Sequence, residues 1–121
     1  GGLSWTTVTG GLSGVTGIQW VIPHATDPSI AYTASSTGFH RSVDGGTSWT
    51  DSNTGLLVGR VLAMEESQGW LFMNMEDMGV YKTPSTGTVS WEEVTTPLSC
   101  GDFCDICADG SGTLLALEGS G

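Results

Sequence analysis

The chain of 121 residues has the length of one small domain or of a part of a larger one. Charged residues make up only 13% of it, so 19 glycines together with serine and threonine supply the polarity, a composition typical of turn-rich all-β proteins. Thirteen acidic against three basic residues give a net charge of −10, which argues against nucleic acid and anionic membranes as partners, because both bind clustered basic residues.

Three tryptophans mark an internal repeat. Trp5, Trp49 and Trp91 each end a similar segment (GGLSW, DGGTSW and STGTVSW), and they lie 44 and then 42 residues apart. A period of this length accommodates four strands of about five residues with their turns, which is the size of one blade of a β-propeller. We therefore predict repeat units over residues 1–14, 15–58, 59–100 and 101–121.

The predicted strands follow the same order in each unit. In the first full unit, Ile30, Tyr32 and Ala34 alternate with polar residues, and an Asp-Gly-Gly turn separates the last two strands. No segment keeps a period of 3.6 residues, so we expect helix to be nearly absent. The strands are expected at residues 17–22, 29–34, 39–43, 48–50, 60–65, 70–75, 79–83, 90–94, 103–108 and 113–117.

This count gives one lone N-terminal strand, two units of four strands and a final pair, or about 2.75 blades. Joining the last residue to the first does not complete a unit, and isolated ends would leave strand edges unpaired. The chain also begins with Gly1 rather than Met and ends in a loop-like sequence. We therefore expect an all-β partial β-propeller that belongs to a larger ring, through further blades of the same polypeptide or through other copies.

The stretch from Ser42 to Trp49 carries a recognisable motif. It reads Ser-Val-Asp-Gly-Gly-Thr-Ser-Trp and matches the Asp-box pattern Ser/Thr-x-Asp-x-Gly-x-x-Trp at every fixed position. With the surrounding repeat, the chain resembles the Asp-box (bacterial neuraminidase repeat) β-propellers, which include sialidases, sortilin-type receptors, photosystem II assembly factors and xyloglucan-cleaving glycosidases. The copy that ends at Trp91 has Ser85 in place of the aspartate and one additional residue before the tryptophan.

The residues of the box predict a structural role. We expect Asp44 to accept hydrogen bonds from N–H groups of the turn, Ser42 to add another, Gly46 to supply a positive φ and Trp49 to bury its ring between sheets. The resemblance implies a structural role too, because such boxes lie at the periphery of the blades, away from the axial site. A catalytic or metal-binding Asp44 is the less favoured alternative.

The resemblance includes two classes of enzyme. A sialidase of this kind would carry a cluster of three arginines and a Tyr/Glu pair. This chain has two arginines, Arg41 and Arg60, so a complete sialidase site does not fit within it. A xyloglucanase-like glycosidase uses two carboxylates across a cleft, and the resemblance gives Glu76 the place of the acid, with Glu118 at a comparable place in the last unit. We expect solvated loop carboxylates here and keep a fragment of such a β-glucan hydrolase as the alternative.

Three cysteines lie close together near the end of the chain. In a strand over residues 103–108, Cys104 and Cys107 point to opposite faces and should not bridge each other, whereas Cys100 in the preceding loop could reach either. One disulfide with one buried thiol and three free thiols both remain open. Zinc needs four ligands, and His24 and His40 lie in other repeats, so we predict neither a metal nor a cofactor.

The predicted function is non-enzymatic: an interaction or scaffold module of a secreted, cell-surface or lumenal assembly. An odd number of cysteines favours an oxidising compartment. Propellers bind through the loops at one mouth of the ring, which residues 35–38, 74–79 and 118–121 would form here. We expect a protein or glycan partner, no nucleic acid and no membrane insertion, since no apolar stretch approaches the ~20 residues of a membrane span.

Overall fold

The computed structural model describes residues 2–57, 59–94, 104–111 and 113–118, and this part of the chain is all-β, without a helix. Ten strands follow one another along it, and each strand predicted for the two full repeat units is present close to its predicted position. The strands are β1 (Trp20–Pro23), β2 (Ala31–Ser35), β3 (Gly38–Ser42), β4 (Thr50–Asp51), β5 (Val61–Ser67), β6 (Trp70–Met75), β7 (Gly79–Pro84), β8 (Glu92–Glu93), β9 (Cys104–Ala108) and β10 (Leu114–Glu118).

The strands form two antiparallel four-stranded sheets and one antiparallel pair. The first sheet has the order β1-β2-β3-β4 and the second has the order β5-β6-β7-β8, so each strand pairs with its neighbour in sequence, and β9 pairs with β10. Short hairpin turns fix the registers, because Ser35 pairs with Gly38 across residues 36–37 and Met75 pairs with Gly79 across residues 76–78. The all-β prediction is therefore confirmed, with two sheets of four strands each.

The two four-stranded sheets share one hydrophobic core. Tyr32 and Phe39 of the first sheet belong to the same cluster of buried side chains as Met73 and Trp91 of the second unit. The rings of Phe39 and Trp91 meet edge to face, with centroids 4.9 Å apart, a geometry that contributes about 0.5–1.5 kcal/mol beyond the burial of area. The Tyr32 hydroxyl donates to the carbonyl oxygen of Ser85 at 2.5 Å, which links the first sheet directly to the β7–β8 connection.

The first strands of the three sheets lie side by side. β5 contacts both β1 and β9. A second cluster of buried side chains, formed by Ala63, Val80 and Ile106, joins the second sheet to the β9–β10 pair. The Gln68 side chain also donates to the carbonyl oxygen of Gly110 at 2.8 Å, between the β5–β6 and β9–β10 turns. The second sheet therefore contacts both the first sheet and the β9–β10 pair.

The lone N-terminal strand predicted for the first unit is not formed. Residues 2–9 belong to no strand, and Trp5 is 92% exposed. Gly10, directly after this segment, forms an isolated parallel bridge with Ser48 in the β3–β4 turn. A strand needs a hydrogen-bonded neighbour, and no described strand lies alongside residues 2–9, so this prediction is wrong for a physical reason.

Candidate functional site

The motif at residues 42–49 forms the turn between β3 and β4. The Ser42 hydroxyl accepts a hydrogen bond from the N–H of Gly46 at 2.8 Å and donates one to the Asp44 carboxylate, also at 2.8 Å. Asp44 in turn accepts from the N–H of Ser48 at 2.8 Å and from the Ser48 hydroxyl at 2.5 Å. Gly46 has a φ of 86°, a conformation that glycine adopts without a steric penalty. These hydrogen bonds connect both ends of the turn through two side chains.

The carboxylate of Asp44 is held in its charged form. Hydrogen bonds from the side chain and backbone of Ser48, and from the side chain of Ser42, lower the pKa of Asp44 from its usual 3.8 to about 2. A general acid or base works best when its pKa is close to the working pH. A carboxylate with this pKa and these partners is suited to holding a turn.

The second sheet carries a divergent version of the same turn. Thr83 occupies the place on β7 that Ser42 occupies on β3, and its hydroxyl accepts from the N–H of Ser90 at 2.9 Å. Ser85 stands in the place of Asp44 and is buried. In the β7–β8 connection the Thr83 hydroxyl therefore accepts the N–H that the Asp44 carboxylate accepts in the β3–β4 turn.

Trp49 and Trp91 make the same backbone contact. The N–H of Trp49 donates to the carbonyl oxygen of Gly10, and the N–H of Trp91 donates to that of Thr54, both at 2.9 Å. Each acceptor lies five residues after the preceding tryptophan of the repeat. Trp91 is 4% exposed, whereas Trp49 is half-buried. The repeated tryptophan therefore fastens each unit to the segment that precedes it.

Glu76 lies in the turn between β6 and β7. Its carboxylate forms an ion pair with Arg60 at 3.2 Å, and both side chains are about half exposed. Its N–H donates to the Arg60 carbonyl oxygen at 2.9 Å. Glu118 is the last residue of β10, and its side chain is not among those that the structure describes. Glu76 is therefore a solvated ion-pair partner at the tip of a hairpin.

The β2–β3 and β6–β7 turns lie at the same end of their sheets. The N–H of Ser36 donates to the Thr16 carbonyl oxygen at 3.3 Å, just as Glu76 does to Arg60. Each turn thus contacts the segment that precedes the first strand of its own sheet. Two of the three loops predicted to form a binding surface are equivalent in the structure, and the third, at residues 118–121, extends beyond the described residues.

Of the three cysteines, Cys107 is the one whose side chain the structure describes. It is exposed, and its thiol is free. Cys104 lies on β9, where its backbone is opposite that of Glu118, and Cys100 is outside the described residues. A disulfide that involves Cys100 stays a prediction.

Two buried polar side chains have no hydrogen-bond partner among the described residues. Asn74 on β6 is 0% exposed, and both atoms of its amide group are unpaired. His40 on β3 is 5% exposed, with both ring nitrogens unpaired. An unpaired buried polar group costs about 1–3 kcal/mol of stability. Sequence reasoning missed Asn74, because a single polar residue within an apolar strand gives no signal of its surroundings.

Within the described side chains, no group of three or more His, Cys, Asp or Glu residues is placed to hold a metal ion. The described residues also contain no helix of the length and apolar character that crossing a membrane requires. Comparison with known proteins gave no match to this chain among family models, curated proteins or solved structures.

Proposed function

We propose that the chain is a segment of an Asp-box β-propeller, with two complete blades and part of a third, and that it acts as a non-catalytic interaction module. One packing relation that recurs from unit to unit carries the proposal. The backbone N–H of the tryptophan in each full unit bonds to the preceding segment, and β5 contacts both β1 and β9, the first strands of the neighbouring sheets. Both features suit blades that bury their faces against one another.

The exposed N-terminal segment supports further blades as partners. Leu3 and Trp5 are 101% and 92% exposed, although Trp91, which has the equivalent place in its own unit, is 4% exposed. Large apolar side chains that are exposed together mark surfaces at which other protein binds. We propose that a further four-stranded sheet, from the same polypeptide or from another copy, covers Trp5 as the second unit covers Trp91.

The proposed binding surface is the end of the sheets that carries residues 36–37 and 76–78. Ser36, Thr37 and Asp77 are exposed there and present two hydroxyls and a carboxylate. Hairpins whose strands are fully paired hold these groups in fixed positions, which lowers the entropy lost on binding. Such groups fit the hydroxyls of a glycan or the polar groups of a protein, in a secreted, cell-surface or lumenal setting.

A panel of soluble polysaccharides tests the proposal, with binding and the release of reducing ends measured on the same samples. We expect saturable binding without release of reducing ends. The double variant Thr37→Ala, Asp77→Asn should weaken binding, since it removes a hydroxyl and a charge from the proposed surface. Thr26→Ala is the matched control, because Thr26 is exposed in the β1–β2 loop at the opposite end of the first sheet.

Two outcomes would contradict the interaction module. Release of reducing ends that disappears in Glu76→Gln would establish the glycosidase alternative. Binding that Thr26→Ala weakens as much as the double variant would show that the two turns are not the binding surface.

A further inference from the structure

A pocket lies between the β3–β4 edge of the first sheet and the β7–β8 connection of the second. It has a volume of about 320 Å³. Arg41 from β3 and Thr50 and Asp51 from β4 line one side, and Gly87 and Val89 line the other. This volume is at the lower end of the range of small-molecule sites, roughly 300–1,000 Å³. The pocket is therefore large enough for a ligand the size of one monosaccharide.

Arg41 places a positive charge in this pocket, and that charge has no carboxylate partner among the described side chains. Its Nη1 donates to the Gly87 carbonyl oxygen at 2.5 Å. Its Nε is buried and has no hydrogen-bond partner, and no carboxylate of the described side chains lies within ion-pair distance of the guanidinium. A half-buried cation in this state is less stable than one paired with an anion, because part of its hydration is lost without compensation.

In the second sheet the basic residue equivalent to Arg41 has a counter-ion, which Arg41 lacks. Lys82 has the same place on β7 that Arg41 has on β3, and Glu92 lies opposite it on β8, at 3.0 Å from the ammonium group. On the first sheet the residue opposite Arg41 is Thr50. The equivalent of the counter-ion is therefore a neutral hydroxyl, and the third basic residue of the chain, Arg60, is paired with Glu76.

We propose that the pocket binds a small carboxylate that also carries hydroxyl groups, as a uronic acid does. The ligand carboxylate takes the place next to Arg41 that Glu92 takes next to Lys82. Thr50 lies opposite Arg41 on β4 and offers its hydroxyl to ligand hydroxyls, and Val89 offers an apolar contact. The pocket is lined by β3, β4 and the β7–β8 connection and not by the turns at residues 36–37 and 76–78, so ligand binding there does not depend on the proposed function.

Calorimetric titration with sodium glucuronate tests the proposal, with glucose and sodium acetate as comparison ligands at the same ionic strength. The wild type should bind glucuronate more tightly than either, because glucose lacks the carboxylate and acetate lacks the hydroxyls. Arg41→Gln should weaken glucuronate binding by at least about ten-fold. Lys82→Gln is the matched control and should leave the affinity unchanged.

The variant Thr50→Glu provides a second test that keeps Arg41 in place. It puts a carboxylate opposite Arg41, as Glu92 stands opposite Lys82, so it should weaken glucuronate binding while circular dichroism shows the same β structure. Three results would overturn the proposal: no glucuronate binding by the wild type, equal affinity for glucuronate and for one of the comparison ligands, or full affinity in Thr50→Glu.

Discussion

The turn between β3 and β4 shows how one carboxylate couples loop structure to protonation. Ser48 and Ser42 donate hydrogen bonds to Asp44, and they lower its pKa to about 2 in the folded chain. The unfolded chain lacks these donors, so Asp44 returns there to its usual pKa of 3.8. A pKa that is lower in the folded state means that ionised Asp44 contributes stability above pH 3.8, and that this contribution is lost as the pH falls from there toward 2.

We expect the variant Asp44→Asn to be less sensitive to acid than the wild type. Urea denaturation at a series of pH values from about 6 to about 2 should show the free energy of unfolding falling less steeply in the variant, because an amide does not titrate in this range. Ser48→Ala removes the strongest donor to Asp44. Ser48→Ala should alter the pH dependence of the free energy of unfolding in the wild-type background and leave it unchanged in the Asp44→Asn background. Equal slopes for the wild type and Asp44→Asn would contradict the role given to Asp44.

These residues also show which side-chain contacts a sequence can predict. The hydrogen bonds of the box join residues within four positions of one another, so the local spacing of Ser42, Asp44 and Ser48 determines them. The missing counter-ion of Arg41 depends instead on which residue lies opposite it on β4. That register is decided by the conformation of a turn and by packing against the second sheet, neither of which the residue pattern specifies.

At the scale of the strands and their connections, the join between the two sheets depends on one glycine. Gly55 lies in the turn that follows β4, with a φ of +83°, and a Cβ atom there would lie 2.4 Å from the Trp91 carbonyl oxygen. The neighbouring Thr54 carbonyl oxygen accepts the Trp91 N–H. The segment must therefore approach the second unit more closely than any residue with a side chain allows.

We expect Gly55→Ala to destabilise the chain by more than about 2 kcal/mol. A residue with a side chain costs up to about 2 kcal/mol in the left-handed conformation, and the steric clash with Trp91 adds to this cost. Gly69→Ala is the matched control: its φ is +80°, and nothing lies within 4 Å of its Cβ position. It should therefore cost only about 1 kcal/mol. Urea denaturation measures both, and equal losses would show that close packing at Gly55 is unimportant.

The strands themselves were largely predictable, because alternation and turn residues are local properties of the sequence. β6 lies at Trp70–Met75, where the pattern places it, since apolar side chains and a following turn mark both of its ends. The predicted N-terminal strand is not formed, because its formation depends on a non-local contact. Residues 2–9 have a suitable sequence, but a strand also requires a neighbouring backbone, and that neighbour is not specified by the residues themselves.

At the scale of the whole molecule, stability should depend on contacts between neighbouring units. The core of the two sheets is continuous, Trp91 is fastened to the preceding segment, and Trp49 is fastened in the same way to Gly10. In repeat proteins, each unit gains much of its stability from such interfaces with the units beside it. The short segment at residues 9–15, which has no sheet of its own, should therefore stabilise the first sheet in the way that a neighbouring unit does.

Two truncated chains test whether the first sheet is stabilised by the segment before it. Both truncations remove Trp5, so the two chains have the same number of tryptophans. Removal of residues 2–8 deletes an exposed segment that makes no hydrogen bond to another described residue, so we expect little change in stability. Removal of residues 2–14 also deletes Gly10, the acceptor for the Trp49 N–H, and should cost about 1–2 kcal/mol. Denaturation with urea gives the two free energies of unfolding, and hydrogen exchange at the Trp49 amide should be faster in the shorter chain. Equal stability and equal exchange in the two chains would show that the first sheet is stable without the segment before it.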